Sequence, residues 1–407
     1  MKKHIINFTG ILVLSSILCI SCEDEATPLP GHITENTVWS GQVTLTGDVF
    51  IEKGATLTIR PGTKITVMAN QDDMQQSQIG PADDLTTSDP AGDPDAGGIE
   101  YHQTHIAIIV NGKIVCKGTE KEPIIFTSSA TNPHYTDWIG IFVNYGEFEN
   151  TLVEWCLDGI YSTTGCERLT IDNCHVRHIW AAGIGFQPPA GETVVQHVKN
   201  STIEDCGHEA IDTHAPLFVE FAYNLIKDSQ VGFNLHDNIN ANIHHNIVLN
   251  TTFPVICSNT TDVFITQCTL QASVQDNIRW TYRGWTMPRF NDPAGIFVTN
   301  TGQSEVVVTN TILFDSPTGL RNESTEQSLI NGYLNMDNVI APYTGNTFPG
   351  AGCLIVNSGF VDKNAQNYRL TENSLLIGVG NPADGNPDIG AYGGKGASDI
   401  IGCNILF

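Results

Sequence analysis

The stretch EAIDTHAP, residues 209–216, sets Asp212 and His214 two positions apart, and VGFNLHDN, residues 231–238, repeats the cadence with His236 and Asp237. A histidine near neutrality can take or give a proton, and a carboxylate beside it can orient the ring. Alternation along an extended chain puts Asp212 and His214 on one side, and Asn234 and His236 on the same side one repeat later. An earlier stretch, GIGFQP, offers Gln187 in the matching slot. Asp212, His214 and His236 are therefore the catalytic candidates, with Gln187 and Asn234 as substrate-binding partners. Amides, carboxylates and imidazoles in such an array can also bond the hydroxyls of a sugar. A repeating coil needs polar outward slots in any case, and these residues satisfy that requirement too.

A second candidate is DNIRWTYRGWTMPRFND, residues 276–292. It carries Arg279, Arg283 and Arg289 together with Trp280, Tyr282, Trp285 and Phe290. Aromatic faces stack on sugar rings, and guanidinium forks grip carboxylates. On that chemistry Arg279, Trp280, Arg283, Trp285 and Arg289 would form a subsite wall for an acidic glycan. The same rings could instead pack down on the body of the protein.

The segment 70–104 is the third. It holds eight carboxylates and no lysine or arginine. Hard oxygen donors at that density suit Ca2+, with Asp89, Asp93, Asp95 and Glu100 as the ligand set, although the spacing is not that of an EF-hand loop. A solvated acidic loop has the same composition. NIHHN, residues 242–246, offers two histidines in a turn but no third metal ligand in view.

The elements that would position these residues are legible in a repeat. An asparagine recurs three residues ahead of an aliphatic one at Asn150, Asn173, Asn200, Asn246 and Asn310. At Asn224 the aliphatic comes one place early, and Gln267 substitutes once. Eight to ten residues after each asparagine comes a small residue followed by a large apolar one, as in Gly159-Ile160, Gly183-Ile184, Ala210-Ile211 and Gly232-Phe233. From there apolar and polar positions alternate, the mark of a strand with one buried face. One such unit every 21–27 residues, with asparagines stacked in a buried ladder at one turn, predicts an all-β solenoid, a right-handed parallel β-helix. Before Gly295-Ile296 the unit is lengthened by an insertion at about 273–292.

GDVFIEKGATLTIRPGTKITV (47–67), IIVNGKIVCKGTEKEPIIFTSS (108–129) and WIGIFV (138–143) resemble the opening coils of secreted or surface bacterial right-handed parallel β-helix proteins of the pectate-lyase-like superfamily. NYRLTENSLLIGVGNPADGNPDIGAYGG (367–394) is similar to the closing segment of that group. The resemblance implies one β-helix over 36–394, interrupted at about 70–104 and 273–292 and followed by a tail, 395–407. The group includes lyases, hydrolases and proteins that only bind, so the resemblance implies a fold rather than a reaction.

Lys2, Lys3 and the apolar run that ends at ISC form a processing signal, and EDE follows at once. This resembles the lipoprotein signal of Bacteroidetes-type bacteria. It implies removal of residues 1–21, lipidation of Cys22, a tether over 22–35 and exposure at the outer membrane surface. The chain carries 19 basic and 44 acidic residues, net −25, which argues against nucleic acid as a partner. Beyond Cys22 nine cysteines remain with no C-x-x-C pair, so neither a disulfide framework nor a zinc site of cysteines is expected. Cys353 and Cys403 alone lie in a region loop-rich enough for a disulfide.

Three functions fit. The first is a surface lipoprotein that binds complex, acidic polysaccharide or acts as an adhesin. The second is a polysaccharide lyase working by β-elimination, with His214 or His236 removing a proton and an arginine or Ca2+ neutralising the uronate. The third is a glycoside hydrolase, which needs a second carboxylate facing Asp212 across the bond.

Overall fold

The protein is described by a computed structural model over residues 31–70, 104–191, 194, 196–214, 218–259, 262–282, 285–299, 305–326 and 328–405. Cys22, Asp89, Asp93, Asp95, Glu100 and Arg283 lie outside the described residues, as does the side chain of Trp285.

Each coil lays one short strand into each of three parallel sheets. The first sheet runs from Gly31–Ile33 to Ala341–Gly345, the second from Thr37–Trp39 to Ser328–Gly332, and the third from Gln42–Leu45 to Asn335–Asp337. The parallel β-helix expected from the repeat is what the chain forms. The stack opens at Gly31, inside the stretch read from sequence as a tether.

Register shows why these residues make this fold. Ile160, Ile184, Ile211, Phe233, Val255, Ile296 and Leu320 stand opposite one another on successive coils. Every one of them is fully buried. Burial of such a row at each face of the three-sided interior drives assembly, at about 25 cal/mol per Å2 of apolar surface. The small residue before each apolar one is a space requirement. A Cβ on Gly183 would stand 2.7 Å from the Ala210 carbonyl oxygen and 2.8 Å from the Ile203 side chain.

The asparagine ladder differs from the single buried column expected. Asn150, Asn173 and Asn200 occupy one turn position with φ between 48° and 49°, and are half-buried. Asparagine tolerates this left-handed conformation better than most residues, which accounts for its recurrence there. Register carries that position on to Tyr223, His245, Gln267 and Asn310. Asn224 and Asn246 sit one residue further on, fully buried. Asn246 Oδ1 accepts from both the backbone N (2.9 Å) and Nδ2 (3.0 Å) of Asn224. The early aliphatic after Asn224 reflects this one-place shift.

Among the described residues two segments leave the coils. Residues 273–292 run back along the turn between the third and first sheets, from Asn250, bonded by Ser273, to His134, whose Nε2 bonds the Thr281 carbonyl. The C-terminal segment, expected to close the β-helix over residues up to 394, folds over the outside of the third sheet, where Tyr368, Leu376, Ile389 and Ala391 cover Ile247, Leu249, Ile312 and Phe314. It continues back to Asn173, which accepts from Asn404 N at 3.1 Å. The outward face of the third sheet is apolar in these coils, so it demands a cover. No disulfide joins Cys353 to Cys403. Cys353 lies by Asn331 near the end of the stack, and Cys403 lies many coils away, against Asn173 and Thr202.

Candidate functional site

Asp212, His214, Asn234 and His236 meet on the outward face of the first sheet, because Glu209–His214 and Val231–His236 are neighbouring strands paired Asp212 with Asn234 and His214 with His236. Asp212 is 5% exposed and is the hub. Its Oδ2 lies 2.5 Å from His214 Nε2 and accepts from the Tyr161 hydroxyl at 3.1 Å. Its Oδ1 accepts from Thr213 N at 2.9 Å and Asn234 Nδ2 at 3.2 Å, and lies 3.1 Å from His236 Nε2. The two imidazoles stand edge to face with centroids 4.3 Å apart.

The surroundings extend this network. His236 Nδ1 lies 2.7 Å from Asp237 Oδ2, so both of its ring nitrogens face carboxylates. Asn234 Nδ2 also donates to Glu209 Oε1 at 3.2 Å, and Glu209 pairs in turn with His208. Phe290, from the 273–292 insertion, packs its ring 5.1 Å from that of His208. The insertion therefore does border the patch, at the end where its strands begin.

Electrostatics follow from the contacts. Burial would raise the Asp212 pKa, but the hydrogen bonds and charge of His214 and His236 outweigh it and hold the carboxyl well below its usual range. For His236, burial opposes the charged form, yet Asp212 and Asp237 prevail and lift it to about 9. At neutral pH His236 is a cation, and donates protons rather than accepting them.

Along the same outward row, register continues from Asn234 to Ile256, Phe297 and Arg321. The Arg321 guanidinium lies over the Phe297 ring at 4.1 Å and pairs with Glu323 at 2.8 Å. In the other direction the row runs through Gly185 to Tyr161 and Phe142, both buried.

The remaining sequence candidates fall elsewhere. Gln187, one residue past the pairing of Phe186 with Thr213, is half-buried, and its Nε2 has no hydrogen-bond partner among the described residues. Trp280 is not a stacking platform. It is fully buried, with Trp180 and Met287 in its cluster and Gly207 directly beneath it. Arg279 lies over the Trp280 ring at 4.2 Å and is tied to Asp205 at 3.0 Å, so its charge is already matched. Arg289 is exposed. The insertion's described aromatics thus cover the coils, as large rings do when apolar surface lies beneath them. Tyr161 was not singled out from sequence. Its signal is the glycine at 185, the one outward slot left empty beside an aromatic one.

Two family descriptions match the chain. A pectate-lyase-like β-helix domain matches residues 31–149, and a right-handed β-helix region matches residues 114–270. Among solved structures the chain is similar to the crystal structure of pectate lyase Pel9A, at 13% identity with a TM-score of 0.39, covering 84% of this chain and 88% of that one. No curated protein matches the chain.

Proposed function

Because the chain is a right-handed parallel β-helix protein of the pectate-lyase-like kind, we propose that it binds complex polysaccharide, acidic in character, along the outward face of its first sheet. The observation that carries this reading is the buried Asp212 carboxylate held between His214 and His236 and continued by the row Asn234, Ile256, Phe297 and Arg321. Sugar rings present hydroxyls at their edges and C–H faces between them, and this row offers polar, apolar and guanidinium groups in turn. Coils are spaced about 4.8 Å, so the four steps from Asp212 to Arg321 span roughly 19 Å, the length of an oligosaccharide. His236 and Arg321 are the cations of this face, and an acidic substituent would meet them by displacing the partly exposed carboxylates of Asp237 and Glu323. Lipidation at Cys22 would hold the protein at the outer membrane surface, where such polymers are encountered.

A second reading is β-elimination. The contact of His214 with Asp212 favours it, since a carboxylate-oriented imidazole can abstract a proton. His236, already protonated, would serve on the leaving-group side. Titration calorimetry over a panel of neutral and acidic polysaccharides tests binding, and ultraviolet absorbance of unsaturated uronates in the same mixtures tests cleavage. Binding without new absorbance supports the first reading, and turnover supports the second. Absence of both across the panel overturns the assignment.

A further inference from the structure

We propose that Asp212, His214 and His236 bind a divalent transition-metal ion of the zinc class, through a carboxylate oxygen and the two imidazole Nε2 atoms. One ligand atom from each of the three lies within 4.8 Å of the others. The carboxylate-to-imidazole separations are 2.5 Å and 3.1 Å. Tetrahedral zinc, with bonds of about 2.0–2.2 Å, sets its ligand atoms roughly 3.3 Å apart. Small rotations of the side chains, with loss of the His236 Nε2 proton to solvent, therefore admit an ion.

The donor set selects the class of ion. Calcium and magnesium prefer all-oxygen cages, whereas two imidazoles and one carboxylate suit zinc and its neighbours. The outer contacts are those that a metal-binding histidine needs. Asp237 Oδ2 stands 2.7 Å from His236 Nδ1, which fixes the ring and aims Nε2 at the centre. Tyr161 and Asn234 hold the carboxylate in the same way, by hydrogen bonds of 3.1 Å and 3.2 Å. Each ligand sits on a strand of the rigid stack, so little ordering remains to be done on binding.

Exposure points to an open coordination position. The Asp212 side chain is 7% exposed, while those of His214 and His236 are 23% and 20% exposed. The centre is closed from behind by the sheet and open in front, where water or an oxygen of an acidic sugar would complete the shell. This ion site does not depend on polysaccharide being bound.

The test uses the full chain without a histidine tag, stripped with a chelator and titrated with zinc chloride by calorimetry. Cobalt(II) then serves as a visible probe of coordination. The expected result is one equivalent bound and a cobalt spectrum of a four- or five-coordinate centre. His214→Ala and His236→Ala should each abolish the stoichiometric binding. Asp237→Asn, which leaves all three ligands in place, should weaken it about ten- to a hundredfold. His244→Ala, in the other histidine pair, should bind as wild type. Metal-free melting temperatures establish that each variant is folded. No saturable binding by wild type, or undiminished binding by folded His236→Ala or Asp237→Asn, overturns the proposal. Polysaccharide titrations in chelator are run separately, so failure of the ion site and failure of the glycan reading are told apart.

Discussion

Tyr161 reaches across the strand between them to donate its hydroxyl to Asp212 at 3.1 Å, two coils away. The path exists because residue 185 is glycine, where a Cβ would stand 2.0 Å from the Tyr161 ring. Tyr161→Phe should cost about 1–3 kcal/mol, the scale of a lost hydrogen bond to a buried carboxylate. Gly185→Leu should cost more, since the ring itself must leave its place. Urea unfolding measures both, and a Gly185→Leu protein as stable as wild type would refute this account of the glycine.

The two asparagine positions should respond differently to substitution. Asn246→Gly leaves the Phe221 carbonyl and the Asn224 backbone N without their side-chain partner in a buried turn. It should cost about 1–3 kcal/mol per group left unsatisfied. Asn200→Gly keeps the left-handed backbone accessible and loses chiefly the bond to Asp172, at 2.8 Å and half-buried. It should cost less than about 1 kcal/mol. Equal losses in thermal unfolding would place both residues in one ladder after all.

Acid should destabilise the fold in two stages. Burial, aided by the neighbouring His244, lowers the His245 pKa from 6.5 to about 4. The folded state keeps this ring neutral while the unfolded chain takes up a proton. Its contribution is therefore complete above pH 6.5 and is lost as the pH falls towards 4. Glu204 follows at lower pH. Burial raises its pKa, but hydrogen bonds from His175 and Lys227 outweigh that and bring it to about 2. Its contribution is present above about pH 4.5 and is lost as the pH falls through 2. Each stage should remove about 1–3 kcal/mol. In urea unfolding across this range, His245→Gln should flatten the first stage and leave the second.

The proposed lipidation of Cys22 predicts that Cys22→Ala releases the protein from the membrane fraction. Fractionation and protease shaving of whole cells check this. A variant that still sediments with outer membrane and stays accessible to protease would contradict lipidation as the anchor.

The coils were legible because the solenoid repeats one physical requirement many times. Row after row of residues such as Ile184, Ile211 and Phe233 shows the same alternation. The meeting of Asp212, His214, Asn234 and His236 was legible for the same reason, since equal slots on successive coils must be neighbours. What lies across coils was not. Tyr161 reaches the site from two coils back, and the glycine at 185 is its one mark in the sequence. The composition of the 276–292 loop suits a sugar platform and a core cover equally, and only the burial of Trp280 separates them. The C-terminal segment resembles a closing segment, yet it packs on the outside because the third sheet presents Ile312 and Phe314 there. Asn224 and Asn246 look like members of the asparagine column; the early aliphatic marks the change of slot at Asn224, and nothing in the spacing marks it at Asn246.

The most direct test of the account is the affinity of His214→Ala and Phe297→Ala for the polysaccharide that wild type binds most tightly, measured by calorimetry beside melting temperatures. His214 stands beside Asp212 at the polar centre, and Phe297 lies three coils along the row of Asp212. Each substitution should weaken binding by about 1–3 kcal/mol, roughly five- to two-hundredfold, while the protein stays folded. Wild-type affinity in both variants would mean that the outward face of the first sheet is not where polysaccharide binds.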